Sequence, residues 1–76
     1  MNKEFAIDSL LDEENKIKAY LGHCDIGKAV IYLSFMAETL NYYENKLDFK
    51  TWDWHVRQYL ALLNYEQNLQ EKLYNI

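Results

Sequence analysis

Seven apolar positions in the middle of the chain, Ile26, Ala29, Leu33, Met36, Leu40, Tyr43 and Leu47, follow one another at spacings of 3, 4, 3, 4, 3 and 4. A backbone that turns once every 3.6 residues lines such positions up on one side, whereas a strand groups residues two apart. The chain also has no proline and only two glycines, Gly22 and Gly27. Turn-rich and strand-rich folds lean on both residue types. The pattern predicts a helix over about 26–46, with Asp25 as its cap. The run VIYLSF at 30–35 is rich in strand-forming residues, but the helical period continues unbroken on both sides of it. A helix is the reading adopted.

Similar stripes flank this segment. Ile7, Leu10, Ile17 and Leu21 keep the spacing, with Glu14 in the middle position of the stripe and Leu11 and Tyr20 widening it. They predict a helix over about 8–21, capped by Asp8 or Ser9; a start near Asn2, bringing in Phe5, satisfies the pattern equally well. Gly22 stands where helices commonly stop. Further on, Asp48 or Thr51 can cap a long last helix over about 49–75. Trp52, Val56, Tyr59, Leu60 and Leu63 form its first stripe, and Leu62, Leu69, Leu73 and Ile76 carry a neighbouring one onward. Short connections between three helices predict an all-α, antiparallel, up-down-up arrangement in one domain over 1–76, with dimerisation completing it.

The totals narrow the function classes. Half the residues are apolar and 16% are aromatic, which argues against disorder. A formal charge of −4 gives no electrostatic gain on a nucleic acid, so direct nucleic-acid binding is not expected. Cys24 is the only cysteine, so no disulfide can form within the chain, and a reducing compartment fits best. The opening MNKEFAIDSLLDEE turns acidic where a leader peptide is apolar, and no run approaches the roughly 20 apolar residues of a membrane span. A cytoplasmic location is expected, with no membrane partner.

The stretch GHCDIGKA at 22–29 carries most of a phosphate-binding loop, G-x-x-x-x-G-K. Such a loop needs a hydroxyl after the lysine to hold magnesium, and a strand before it. Here Ala29 follows Lys28, and IKAYL before it continues a helical pattern. The stretch is read as a corner between helices. His23 and Cys24 fall short of the four ligands of structural zinc, and Asp53 and His55 flank Trp54 on opposite sides of a helix. His55 is therefore read as a surface or interface histidine. Gln58, Leu62 and Leu63 in RQYLALL fit a sliding-clamp docking peptide only with an inserted residue and without its aromatic end, so Leu60 and Leu63 are assigned to the core. No catalytic residue, cofactor or metal site is expected.

Two features remain once the core is assigned. Asp8, Asp12, Glu13 and Glu14 place four carboxylates within seven residues, an acidic face that would steer a partner with a basic surface. Tyr32, Phe35 and Tyr42, with Trp54 and Tyr65, form extra aromatic stripes beyond the one face that a small helical domain buries. They are the expected interface between two copies. The reading is a small, acidic, non-enzymatic interaction protein, an inhibitor or regulator that binds and blocks another macromolecule, with occupation of a basic nucleic-acid-binding site as its most specific form. A purely structural oligomerisation module and an antitoxin or immunity-type protein are the alternatives.

Overall fold

A computed structural model describes residues 3–74. Three helices, α1 (Lys3–Gly22), α2 (Ile26–Tyr43) and α3 (Phe49–Tyr74), make up 89% of these residues, with no strand among them. The VIYLSF run lies inside α2, where the packed stripe overrides its strand preference.

The core follows most of the stripes read from the spacing, though Ile7 is only half-buried and Leu73 is 41% exposed. Ala29, Leu33, Met36, Leu40, Tyr43 and Leu47 are all buried, opposite Ala6, Leu10, Ile17 and Leu21 of α1. Leu10, Ile17 and Met36 are the largest side chains sealed from water, and burial of each stabilises the fold by about 1.5–3 kcal/mol. The long helix α3 contributes half-buried side chains, Trp52, Val56, Tyr59, Leu62, Leu63 and Leu69, packed against that centre. Leu60 departs from its expected place in the core. It is 54% exposed, because Val56, Tyr59 and Leu63 already fill the inward side of that turn.

The boundaries shift for physical reasons. α1 spans Lys3–Gly22, so Asp8 and Ser9 lie inside it and cap nothing. KEFAIDS contains no helix breaker, and Ala6, 1% exposed, extends the buried stripe by a turn. Phe5 joins the helix but stays 65% exposed. α2 stops at Tyr43, short of the expected 46, and a turn accepted by the Tyr43 carbonyl folds Leu47 back onto the core. Asp25 caps α2 through its side chain, which accepts from the Lys28 N–H. Asp48 caps α3 by accepting from the Thr51 N–H at 3.1 Å and the Thr51 hydroxyl at 2.9 Å. Lys3 also bridges to Asp48 at 2.8 Å. The Lys3 ammonium first, and then Thr51, hold the Asp48 carboxyl well below the usual carboxylate range. Ile76 and Asn2, named in the sequence reading, lie outside the described residues.

A hydrogen bond joins each pair of helices. The Thr39 hydroxyl of α2 donates to Glu13 Oε2 of α1 at 3.0 Å. The Trp52 indole of α3 donates to the Leu40 carbonyl of α2 at 2.8 Å. That carbonyl sits in the last turn of α2, where helix carbonyls lack partners within the helix. His55 of α3 and Glu14 of α1 form the third contact, with Nδ1 and Oε1 2.8 Å apart.

The corner between α1 and α2 holds a second correction. Gly22 does not supply the left-handed residue that ends a helix; Cys24 does, at φ 59°. The Asp25 N–H reaches back to the Tyr20 carbonyl at 2.8 Å and the Cys24 N–H to the Leu21 carbonyl at 3.1 Å. That is the hydrogen-bond pattern in which glycine is usually favoured at the left-handed position. A side chain there costs about 1–2 kcal/mol, while Gly22 spends its freedom inside a helix with nothing within 4 Å of an added Cβ. Cys24→Gly, at an exposed position, is expected to stabilise the fold by about 0.5–1 kcal/mol once the flexibility of the unfolded chain is counted. Gly22→Ala should add about as much. Thermal denaturation checks both, and a lower midpoint for either variant contradicts this account of the corner.

Candidate functional site

The acidic cluster of α1 does not form one face. Successive residues point about 100° apart on a helix, and the four carboxylates meet three environments. Asp8 and Asp12 are exposed, and Asp12 pairs with Lys16 at 3.0 Å. Glu13 turns toward α2. Glu14 is 2% exposed and bonded to His55, itself 3% exposed. Both expectations for this pair are corrected together. Glu14 is not part of a solvent-facing cluster, and His55 is not a surface histidine. The Trp54 ring stands edge-on to the His55 imidazole, with centroids 4.8 Å apart.

Glu13 lines a groove of about 430 Å³ between α1 and α2. Phe5 and Ser9 come from α1 and Glu38, Thr39, Tyr42 and Tyr43 from α2. Residues four apart on α1 (5, 9 and 13) lie along one helix face, as do 38, 39 and 42 on α2, which is why these side chains meet across the seam. The Thr39 hydroxyl serves Glu13 Oε2 and bonds back to the Phe35 carbonyl at 2.9 Å. Glu13 Oε1 is sealed from solvent and has no hydrogen-bond partner. Burial pushes the Glu13 carboxyl above its ordinary range; the Thr39 bond opposes this, the neighbouring Asp12 charge adds to it, and Lys16 opposes it weakly. Neither Glu13 nor Glu38 has an ion-pair partner among the described residues.

The aromatic residues divide. Tyr32 is half-buried, stacked on Tyr20 at 5.4 Å and edge-on to Phe35 at 5.4 Å, so it belongs in part to the core. Phe35, Tyr42, Trp54 and Tyr65 are 47%, 54%, 51% and 56% exposed. Phe35 and Tyr42 share the α1–α2 side with Phe5, while Trp54 and Tyr65 lie three turns apart on α3. Lysines sit over three tyrosine rings: Lys46 over Tyr42 at 4.1 Å, Lys16 over Tyr32 at 5.3 Å and Lys28 over Tyr20 at 5.6 Å.

At the 22–29 corner both the backbone and the side chain of Lys28 face Asp25. The Lys28 N–H is already taken by Asp25 Oδ1, and Lys28 Nζ stands 4.0 Å from Asp25 Oδ2. Among the described residues no three His, Cys, Asp or Glu side chains gather to hold a metal, and no helix is long and apolar enough to cross a membrane. Sequence reasoning missed Phe5, Glu38 and Thr39 as neighbours of Glu13. Only the register between α1 and α2 brings them together, and no spacing within one helix reveals that. It also missed Glu66, 3% exposed in α3, to which the Gln70 amide donates. No protein family, no curated protein and no solved structure matches the chain.

Because the folded state binds the Glu13 proton more tightly than the unfolded chain, its contribution to stability is complete below the ordinary carboxyl value of 4.5 and is lost as pH rises through the higher folded value. At neutral pH the ionised group works against folding. Glu13→Gln is therefore expected to raise stability at pH 7 by less than about 1 kcal/mol, since the half-exposed group is screened by solvent. The gain should shrink toward zero below pH 4.5. Denaturant titrations at pH 7 and pH 4 check this; a loss of stability at pH 7 contradicts it.

Proposed function

We propose that this chain is a non-enzymatic protein-interaction module, built as an antiparallel up-down-up bundle, that binds another protein with a basic surface and blocks or regulates it. The observation that carries the reading is the side of α1 and α2 where Phe5 and Tyr42 stay 65% and 54% exposed beside Glu13 and Glu38, with Phe35, 47% exposed, one turn before Thr39 on α2. The core is already closed by other residues, so these rings are surplus to folding. Exposed aromatic groups of this kind are enriched at the centres of protein interfaces. Bordering carboxylates select a basic partner and repel an acidic one. The exposed Asp8 and Asp12 extend that negative border along α1.

Self-association is assigned to the other aromatic stripe, Trp54 and Tyr65 on α3. A chain of net charge −4 that paired through the Glu13–Glu38 side would set like charges against each other. On α3, Arg57 and Asp53 pair at 3.0 Å beside Trp54, so two copies can meet there without that penalty. Tyr65→Asp is expected to give a folded monomer by sedimentation equilibrium, where the parent mass rises with concentration. Phe35→Asp should still dimerise but lose a protein that the parent retains stoichiometrically in affinity capture. A parent that stays monomeric refutes the dimer, and equal retention by Phe35→Asp refutes the binding side.

A further inference from the structure

We propose that the α1–α2 groove is a receptor for an arginine side chain presented by the partner protein, with Glu13 and Glu38 meeting the guanidinium and Phe5 and Tyr42 flanking it. The inference rests on the reading of this chain as a protein-binding module and names the chemistry of its contact.

Three observations converge on this occupant. First, the groove pairs two carboxylates from different helices with aromatic walls, and neither carboxylate has a cation of the chain's own among the described residues. Guanidinium is planar, stacks on aromatic faces and carries five N–H donors in a fork, so it can serve two separate carboxylates and a ring at once. An ammonium is a point charge with no face to stack. Second, Glu13 has one oxygen held by Thr39 and the other buried with no donor. A buried acceptor without a partner calls for a physical reason, and a missing charged partner is one of the few available. Third, the Tyr42 ring on this side already attracts a cation, as Lys46 over it at 4.1 Å shows. Lys46 donates to the Tyr42 carbonyl at 3.2 Å and does not line the groove, so the cavity is left to a cation from outside.

The rise in the Glu13 carboxyl fits the same picture. Burial makes the ionised group costly in the free protein, and a guanidinium would reverse that cost on binding.

The experiment titrates the full chain, labelled with ¹⁵N, with the capped tripeptide acetyl-Ala-Arg-Ala-amide and with its neutral isostere acetyl-Ala-citrulline-Ala-amide. A single side chain should bind in the millimolar range. The arginine peptide is expected to shift amide signals around Ser9, Glu13, Thr39 and Tyr42, and the citrulline peptide to shift none. Glu13→Gln, which should remain folded, ought to weaken binding at least about tenfold, and Glu38→Gln should weaken it as well, each change losing one charged contact of about 1.4 kcal/mol or more. The lysine peptide acetyl-Ala-Lys-Ala-amide should bind more weakly than the arginine peptide. Equal shifts from arginine and citrulline, shifts centred on Asp8 and Asp12 instead, or indifference to both substitutions would overturn the assignment. Affinity capture separates this from the broader reading. A partner lost by Phe35→Asp but kept by Glu13→Gln leaves the binding side standing and removes the arginine site.

Discussion

Glu14 and His55 meet at 2.8 Å in the middle of an apolar core, each almost completely withdrawn from water. A carboxylate cannot occupy such a place without a donor, because an unpaired buried charge costs several kcal/mol. The pair therefore fixes how α3 lies on α1. Slide α3 by one residue and His55 turns about 100° away, leaving Glu14 alone between Leu10 and Ile17 of its own stripe. Apolar side chains are forgiving about register; a hydrogen bond is not. With α3 fixed, Trp52 meets the Leu40 carbonyl and Asp48 sits beside Lys3.

Two polar contacts of α1, those of Glu13 and Glu14, have opposite characters, though they come from adjacent residues. Glu14 is satisfied and structural. Glu13, one position on and about 100° round the helix, is only half satisfied, with one oxygen on Thr39 and the other without a donor. One turn of helix thus carries both the residue that specifies the fold and the residue that the fold leaves short of a partner. The aromatic side chains divide in the same way. Tyr43 and Tyr32 pack inward, while Tyr42 and Phe35, their immediate or near neighbours, face water. The surface on which the proposed function depends is the outer edge of the same stripe that closes the core.

Much of this was legible in the sequence wherever the information lay within one helix. The seven-position stripe of α2 appears buried almost as read, with only Ile26 left partly exposed. The caps at Asp25 and Asp48 follow from residue type and position. Glu14 is the instructive case. The spacing of Leu10, Glu14, Ile17 and Leu21 placed it in the buried stripe, whereas its neighbours Asp12 and Glu13 placed it in a solvated acidic run. Periodicity was the better guide, because a helix sorts residues by angle and not by adjacency. What stayed hidden depends on contacts between helices: the donor for Glu14 lies 41 residues away, and the groove needs Phe5 and Tyr42 side by side. Leu60 and the left-handed stop expected at Gly22 were misplaced, each for a local reason. Several side chains compete for one side of α3, and the left-handed turn falls two residues beyond the glycine.

A double-substitution cycle on Glu14 and His55, read by equilibrium denaturation, tests the central claim directly. Glu14→Leu alone and His55→Leu alone each leave a buried polar partner exposed to apolar surroundings, and each should lose about 3 kcal/mol or more. The double variant replaces both with side chains suited to the core and should fall within about 1 kcal/mol of the parent. The predicted result is therefore a large coupling, with the two losses far from additive. Losses that simply add, with a coupling under about 0.5 kcal/mol, would contradict the account, because Glu14 and His55 would then not be partners and the packing of α3 on α1 would have to rest on something else.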